Sequence, residues 1–226
     1  MFDQIISFGN LFAAWREFRR GKRVKRDVQV FERHVEDELF GLHEELAAGT
    51  YRHGSYERFH IFDPKHRIIH KASVRDRIVH HAVYRIVTPV MERSFIFDSY
   101  SCRKEKGTHA AVRRLEHFAR RVSRNWIGPC WVLKCDVKKF FDTMDHGILL
   151  KLLERRISCS KTIELLKVII KSYASVVDKN AERERESPRR TYRQFDIAIV
   201  RERVFGCAGS SHEGRVRCEV LHPIHG

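Results

Sequence analysis

A short apolar segment that ends at an acid constrains the fold of this chain more than any other feature. Trp131, Leu133 and Cys135 alternate with their neighbours, and Asp136 follows directly. Alternation with a period of two predicts a short buried β-strand, with the carboxylate at its C-terminal end. An acid in this place commonly serves a turn or a cap. It is also a position from which a carboxylate reaches a metal ion.

Helical periodicity dominates most of the remaining sequence up to residue 173. Apolar residues recur every three or four positions, which is the spacing of one buried helix face. The predicted helices are one that contains Leu11, Phe12, Trp15 and Phe18, one over 28–48 that Gly49 ends, one from the cap Ser73 to Pro89, one from Thr108 through Phe118, one over 148–156 capped by Asp145, and one over 161–173.

The periodicity changes between the second and third predicted helices. Tyr56, Phe59 and Ile61 precede the polar turn Asp63-Pro64-Lys65-His66-Arg67, and two isoleucines follow it. Two short apolar stretches joined by a turn with proline predict a β-hairpin.

The charge of the chain favours a polyanionic partner. The formal net charge is +15, and residues 1–173 carry 34 Lys or Arg against 21 Asp or Glu. The positive potential therefore belongs to the body of the protein, and nucleic acid is the polyanion it most often attracts in a cell. A basic protein that is merely soluble is the alternative.

The cysteines and the N-terminus predict a cytoplasmic protein. The six cysteines form no CxxC pair, and the first residues lack the basic start and cleavage site of a signal peptide. No apolar run approaches the ~18 residues that span a membrane. We expect reduced thiols and no membrane segment.

Four blocks in order resemble bacterial reverse transcriptases of the retron, group II intron and diversity-generating retroelement kind. The blocks are 62–67 (FDPKHR), 72–77 (ASVRDR), 93–109 (RSFIFDSYSCRKEKGTH) and 133–146 (LKCDVKKFFDTMDH). The resemblance extends over roughly residues 18–173, and four blocks in order make it specific.

The resemblance implies an α+β fold, namely reverse-transcriptase fingers plus the start of the palm. It implies a helical N-terminal region over 1–50, fingers over 51–125, the first part of the palm over 126–173, and a tail over 174–226 that is irregular and outside the family pattern. The implied function is RNA-directed DNA synthesis, with an RNA template, a DNA primer, deoxynucleotides and Mg²⁺ as partners. The sequence predicts no oligomeric state.

The resemblance also assigns roles around the predicted strand. Asp136 is similar to the first catalytic and metal-binding carboxylate of the family, and the main-chain carbonyl of Val137 would complete the ligation of Mg²⁺. Phe141 resembles the bulky residue that excludes a 2′-hydroxyl from the nucleotide site. A core aromatic next to Phe140 is the alternative interpretation of Phe141.

Basic residues of the earlier blocks receive phosphate-binding roles by the same resemblance. Lys65 and Arg67 would hold the triphosphate of the incoming nucleotide, a task that suits the planar fork of arginine. Arg75 and Arg77 would contact the template backbone, which gives affinity without sequence choice. By themselves, two basic residues in a turn are unremarkable.

The chain departs from the family after residue 173. A complete enzyme would continue to a hairpin with paired aspartates, and this sequence contains no Asp-Asp pair. One carboxylate does not hold two Mg²⁺ ions, because Mg²⁺ demands near-octahedral oxygen ligation. We therefore expect the front part of such an enzyme, which does not polymerise by itself.

The tail suggests a frameshift. Residues 219–226 can be back-translated into codons, and some of the permitted nucleotide sequences, read one nucleotide later, encode nearly the residues that precede the missing Asp-Asp hairpin in the family. Residues 200–206, shifted in the same way, permit the family segment just upstream of that hairpin. We expect a one-nucleotide shift somewhere after Tyr173, so that residues 174–226 would be disordered.

The sequence also bears on three other functions. A non-catalytic RNA- or DNA-binding protein derived from a reverse transcriptase remains open. A hydrolase is disfavoured, since no Ser or Cys stands in a nucleophile motif beside a base. A tail zinc site has suitable residue types but a spacing typical of no known pattern; its candidate ligands are Cys207, His212, Cys218 and His222.

Overall fold

The computed structural model describes residues 1–63, 66–137, 140, 144–184 and 216–221. For Arg67, 133–137, 174–184 and 216–221 it describes the backbone alone. The elements are α1 (Phe2–Ile6), α2 (Phe8–Phe18), α3 (Arg26–Arg33), α4 (Val35–Ala48), β1 (Glu57–Ile61), β2 (Arg67–Lys71), α5 (Val74–Glu92), α6 (Thr108–Val122), β3 (Val132–Val137), α7 (His146–Glu154), α8 (Ser160–Glu184) and β4 (Val216–Leu221).

The chain forms two compact units. The first combines Met1–Arg93 with Asp145–Arg193, and the second combines Ser94–Met144 with Gln194–Gly226. Each unit contains one two-stranded antiparallel sheet, β1–β2 in the first and β3–β4 in the second. The predicted division into a helical region, fingers, palm and tail stays a prediction.

The core of the first unit is helical, and α2 packs against α5 at its centre. Leu11, Trp15 and Phe18 on α2 are almost fully buried, as the helical periodicity predicts. Asn10 links the two helices, because its side-chain amide donates to the carbonyl of Ala82 at 3.1 Å and its oxygen accepts from Arg85 at 3.0 Å. The buried side chains of α7 and α8 form a further apolar layer of the same unit.

The predicted helix caps are confirmed. The Ser73 hydroxyl accepts from the backbone N–H of Asp76 at 3.1 Å, and the Asp145 carboxylate accepts from that of Ile148 at 2.9 Å. Gly49 ends α4 with a φ of 70°, a conformation that glycine adopts without a steric penalty.

Two helix boundaries differ from the prediction. The single helix expected over 28–48 is broken at His34, whose φ and ψ of −124° and 28° lie outside the helical range. No proline or glycine marks the break, and Val30, predicted on the buried face, is 54% exposed. Helix α5 continues to Glu92, three residues past Pro89. Pro89 is exposed in the last turn, where water can satisfy the carbonyl that loses its partner.

The predicted hairpin is present. Strand β1 pairs with β2 in antiparallel register, with Glu57 opposite Lys71, Phe59 opposite Ile69 and Ile61 opposite Arg67. Every residue of β1 is exposed, whereas Ile68 on β2 is buried. The hairpin is therefore fixed through β2, and β1 faces solvent.

The predicted strand is present in the second unit as β3, but it begins at Val132. Trp131, predicted as a buried residue of that strand, precedes it and is 65% exposed. The burial of residues 133–137 lies outside the described features, so the burial of the strand stays a prediction. Helix α6 has the predicted periodicity, but Ala119 is its buried residue. Four apolar residues of the predicted face are exposed, namely Val112, Leu115, Phe118 and Val122.

The region after Tyr173 was expected to be irregular, and the structure gives part of it regular form. Helix α8 extends to Glu184, and β4 pairs with β3. Residues 185–215 and 222–226 lie outside the described residues, so the frameshift stays a prediction. Among the described helices none is both long enough and apolar enough to cross a bilayer.

Candidate nucleic-acid interface

The most basic described surface is the connection between α2 and α3. Residues 16–26 contain seven Lys or Arg and one Glu. Five of these cations are exposed, namely Arg16, Arg20, Arg23, Lys25 and Arg26. We call this set the basic loop. A dense exposed cluster of one sign attracts phosphates and releases their counterions.

Other residues of the same connection hold the basic loop in place. The Lys22 ammonium donates to the carbonyl of Phe18 at 2.8 Å and lies 4.4 Å from the centre of its ring. Arg19 is paired with Glu32 on α3. Gly21 has a φ of 68°, so the sharp turn suits a residue without a side chain. The loop therefore has a defined local structure.

Arg75 and Arg77, predicted to contact the template, both form ion pairs within the first unit. Arg75 binds the carboxylate of Glu45 at 2.5 Å, and its guanidinium lies 5.8 Å from the Tyr51 ring. Arg77 donates to Asp27 at 2.8 Å and lies over the ring of Phe18 at 4.7 Å. These contacts give both side chains a structural role, and their template role stays a prediction.

Asp27 joins the hairpin to the helices. Lys71 on β2 and Arg77 on α5 both bind its carboxylate, at 2.9 Å and 2.8 Å. Burial raises the pKa of Asp27, but the hydrogen bonds from Lys71 and Arg77 outweigh it and leave that pKa below its ordinary value. The hydrogen bond to Asp27 raises the pKa of Lys71 against the cost of burial. This network connects β2, α3 and α5.

A buried carboxylate lies at the start of α5. Asp76 is 1% exposed. Its two oxygens accept from the hydroxyls of Tyr51 at 2.8 Å and Ser73 at 2.7 Å, and from the backbone N–H of Gly54 at 3.2 Å. Burying a carboxylate is tolerable because these donors replace water. Burial, and then the charge of Asp76, raise the pKa of Tyr51, so its hydroxyl stays protonated as the donor.

Two histidines extend this network. His53 Nδ1 lies 2.7 Å from the Gly54 carbonyl, and its Nε2 lies 3.2 Å from Nε2 of His80, with the two ring planes 18° apart. Since a carbonyl only accepts, His53 Nδ1 is the donor of this hydrogen bond. Burial, and then His53, lower the pKa of His80 to about 3.

Tyr56 connects the base of the hairpin to α8. Its hydroxyl lies 3.2 Å from that of Ser172, and its ring meets Tyr173 edge-on at 6.0 Å. Burial raises the pKa of Tyr56 to about 12. The position of the hairpin is thus set at its base by Asp76, Tyr56 and their partners.

Three aromatic rings cluster at the other end of the hairpin. The Phe62 ring stacks on His66 at 4.5 Å with an interplanar angle of 16°. His60 and His66 lie edge to edge, with ring centres 5.0 Å apart and a hydrogen bond of 2.8 Å between His60 Nδ1 and His66 Nε2. Phe62 is 73% exposed, and its ring centre lies 6.4 Å from that of His60. Sequence reasoning missed this cluster, although three aromatic rings within seven residues were the available signal.

In the second unit, two half-buried cations lie against exposed aromatic rings. Lys106 lies 4.2 Å from the ring centre of Phe97, and Arg114 lies 5.2 Å from Phe97 and 4.4 Å from Phe118. Arg114 also binds Asp98 at 2.8 Å. Such contacts stabilise the segment before α6 and the helix itself.

The residues predicted to catalyse the reaction are only partly described. Asp136 and Val137 are the last two residues of β3, and the register sets Asp136 opposite Arg217. Arg67 is the first residue of β2. The side chains of these residues, and Lys65 and Phe141 entirely, lie outside the described residues.

The described side chains do not provide a site for two Mg²⁺ ions. Where side chains are described, no three His, Cys, Asp or Glu residues converge as a metal site. In the sequence, Asp136 has no paired aspartates to join it, and a single carboxylate leaves most of the ligation shell unfilled. The four zinc candidates of the tail also lie where no side chain is described.

Comparison with known proteins gives partial matches. No family model matches the chain. Over 137 residues, 60% of its length, the chain is 32% identical to Protein YkfC of Escherichia coli K12 and covers 35% of that protein. It is 29% identical over 93 residues to Nuclear intron maturase 2, mitochondrial, and 25% identical over 97 residues to Nuclear intron maturase 1, mitochondrial, both of Arabidopsis thaliana.

The two maturase matches extend over 41% and 43% of the chain. They cover 12% and 13% of the maturases. The chain therefore spans about a third of Protein YkfC and about an eighth of the maturases. Its relatives include intron maturases, at low identity and with partial coverage.

Proposed function

We propose that this chain is an RNA-binding protein related to the reverse-transcriptase region of intron maturases, and that it binds the RNA backbone through the basic loop. The observation that carries the proposal is the exposure of five cations within residues 16–26. Backbone phosphates are the RNA groups that such a surface recognises.

The local structure of the basic loop supports this proposal. Lys22 and Arg19 are used to shape the connection, and the exposed cations are separate residues. A loop that is already ordered loses little conformational entropy when it binds. A charged cluster that only contacts water would not need the hydrogen bond of Lys22 and the ion pair of Arg19 to hold its shape.

The similarity to intron maturases supports RNA as the polyanion. Those relatives are named for introns, which are RNA when they are spliced, whereas charge alone does not separate RNA from DNA. The four sequence blocks that resemble reverse transcriptases favour the same class. We propose on this basis that β1, β2 and α5 correspond to fingers and that β3 is the first strand of a palm.

RNA-directed DNA synthesis is a second candidate, for a version of the protein that carries the missing carboxylates. In that version we propose Asp136 and the Val137 carbonyl as metal ligands, Lys65 and Arg67 as triphosphate ligands, and Phe141 as the residue that selects deoxynucleotides. The place of Asp136 near the end of β3 favours this proposal. For the chain itself we propose binding without nucleotide addition.

The binding proposal is tested by neutralising the basic loop. A variant with Arg20→Gln, Arg23→Gln and Lys25→Gln is compared with the unaltered chain for binding to a structured RNA at fixed low salt. All three side chains are exposed, so we expect an unchanged fold and an affinity at least about tenfold lower, because each lost phosphate contact removes counterion release.

The matched control neutralises an acidic surface. Glu36→Gln, Asp37→Asn and Glu44→Gln change three exposed residues of α4 in the same unit. We expect this variant to bind RNA as well as the unaltered chain or better. Equal affinity of the basic-loop variant and the unaltered chain would overturn the assignment of the binding surface.

A further inference from the structure

We propose that this chain pairs with a second copy of itself, and that the basic loop of each copy packs against an aromatic surface with an acidic rim on the other copy. We call this surface the acidic aromatic patch. It consists of Phe8 and Phe12 on α2 and of Glu36, Asp37, Phe40 and Glu44 on α4. The pairing does not depend on RNA binding, but its consequence for RNA rests on the proposed function.

The centre of the patch is a group of three phenylalanines that the first unit leaves partly uncovered. The Phe8 ring stacks on Phe40 with ring centres 4.4 Å apart, and it lies nearly parallel to the Phe12 ring at 6.5 Å. Phe40 is 54% exposed and Phe12 is 41% exposed. A contiguous aromatic surface that the fold does not bury is typical of a protein interface.

Three carboxylates surround Phe40 on α4. Glu36 and Asp37 precede it by four and three positions, and Glu44 follows it by four, so all three lie on its face of the helix. All three are exposed. An acidic rim on a chain with a net charge of +15 repels phosphates and favours a cationic protein surface as the partner.

The basic loop has the complementary chemistry. Val24 stands in sequence between Arg23 and Lys25 and is 84% exposed, so the loop offers an apolar side chain flanked by two cations. The phenylalanines would cover Val24, and the carboxylates of the rim would pair with its neighbours. In the part of the chain that the structure describes, neither the five exposed cations of the loop nor the three carboxylates form an ion pair.

The loop and the patch are neighbours on the same unit. Arg16 lies one turn after Phe12 on the same face of α2, and the rest of the basic loop follows the end of that helix. The acids of the patch are on α4, so the cations of the partner would face α4 and not Arg16. A twofold axis between neighbouring complementary surfaces brings each onto its opposite in the second copy. The pair is therefore closed and has two equal contacts.

The net charge of the chain sets the salt concentration at which pairs form. Two copies with a charge of +15 repel each other at low ionic strength. At about 0.15 M salt the Debye length is about 8 Å, so repulsion between distant charges is screened more than attraction between charges in contact. We expect the association to be strongest at an intermediate salt concentration and weaker at low and at high salt.

Charge reversal tests the pairing. The loop-reversed variant carries Arg20→Glu, Arg23→Glu and Lys25→Glu, and the rim-reversed variant carries Glu36→Lys, Asp37→Lys and Glu44→Lys. Sedimentation equilibrium of the full chain at about 0.15 M salt measures the association. We expect the unaltered chain to form pairs as its concentration rises. Each variant alone should associate at least about tenfold more weakly, because like charges then meet at both contacts.

An equimolar mixture of the two variants should form pairs again, because both contacts then join opposite charges. Net charge alone predicts a different result. Three reversals of two charge units each lower the charge of the loop-reversed variant from +15 to +9, so weaker general repulsion would favour its association with itself. A mixture that does not pair, or a loop-reversed variant that pairs with itself as the unaltered chain does, would refute the proposed interface.

Phe40→Ser tests the aromatic part of the interface without a change of charge. We expect it to weaken the pairing about tenfold or more, because an apolar anchor at the centre of the contact is lost. Phe62→Ser is the matched control, since Phe62 is 73% exposed but lies in the hairpin. Circular dichroism of each variant checks that the fold is kept. Equal effects of the two substitutions on the association would count against the patch.

Structured RNA separates this inference from the proposed function. If RNA binds the basic loop, it should dissociate the pairs, because it occupies the same cations. Pairs that persist while RNA is bound would contradict the proposed function and leave the pairing in place. An unaltered chain that stays monomeric at every salt concentration, and whose RNA binding still depends on the basic loop, would refute the pairing and leave the proposed function in place.

Discussion

The Tyr51 hydroxyl donates a hydrogen bond of 2.8 Å to the buried carboxylate of Asp76. This bond fixes the segment between α4 and the hairpin to the start of α5. Ser73 and Gly54 complete the donors around the same carboxylate. The position of the hairpin therefore depends on a charged group that is almost inaccessible to water.

Removal of this hydrogen bond should destabilise the first unit. We expect Tyr51→Phe to lower the free energy of unfolding by about 1–3 kcal/mol, because a buried carboxylate loses a donor that water does not replace. Chemical denaturation measures the change. Tyr100→Phe, which removes a hydroxyl that donates to the exposed Asp98, should leave the stability unchanged. Equal effects of the two substitutions would contradict this account.

Gly54 should not tolerate a side chain. A Cβ atom there would stand 3.0 Å from the Asp76 carboxylate, which is tightly held by its donors. Gly54→Ala should therefore destabilise the protein by about 1–3 kcal/mol. Gly9→Ala is the control. Gly9 lies in α2, and a Cβ atom there would meet nothing within 4 Å. There alanine should stabilise by up to about 1 kcal/mol, and a destabilised control would count against the argument.

The buried histidine pair predicts a loss of stability in acid. The pKa of His80 is about 3 in the folded protein, below the value of 6.5 for an exposed histidine. Below pH 6.5 the unfolded chain takes up this proton and the folded chain does not. Above pH 6.5 His80 therefore does not reduce the free energy of unfolding. Between pH 6.5 and about 3 it lowers that free energy as the pH drops, by at most about 1.4 kcal/mol per pH unit.

His80→Gln tests this pH dependence. Glutamine does not titrate, so the variant should lose less stability between pH 6.5 and 4 than the unaltered chain, measured by denaturation at each pH. His53 and Asp76 face His80 in both proteins and contribute to both curves. Parallel curves for the two proteins would show that His80 does not carry the effect.

Catalysis is predicted for a longer version that contains the paired aspartates. In that protein we expect Asp136→Asn to abolish nucleotide incorporation with Mg²⁺ and to leave RNA binding within about twofold, because one carboxylate ligand is lost and no phosphate contact changes.

The DNA around the codons for residues 173–226 tests the frameshift. Codons that do not spell the missing hairpin in the shifted frame would refute it.

The sequence predicted the elements well where local signals are strong. Ser73, Asp145 and Gly49 have the predicted capping roles, since a cap depends on a few adjacent residues. The two apolar stretches on either side of the polar segment 63–67 correctly indicated the hairpin. The break at His34 was missed because no residue type marks it, and tertiary packing decides where such a helix divides.

The candidate site was less predictable, for physical reasons. Arg75 and Arg77 resemble template-binding residues, but their carboxylate partners come from Glu45 and Asp27, which lie far away in the sequence. The burial of Asp76 likewise depends on contacts between separate elements, since Tyr51 and Gly54 lie more than twenty residues before it. The charge of the basic loop, by contrast, is local, because seven of the eleven residues 16–26 are Lys or Arg.

The salt dependence of RNA binding tests the central claim most directly. If the chain binds the RNA backbone through the basic loop, the logarithm of its affinity falls linearly with the logarithm of the salt concentration. We expect the slope of the variant with Arg20→Gln, Arg23→Gln and Lys25→Gln to be smaller by about two or three for double-stranded RNA. Binding that salt does not weaken, or identical slopes for the two proteins, would contradict the account.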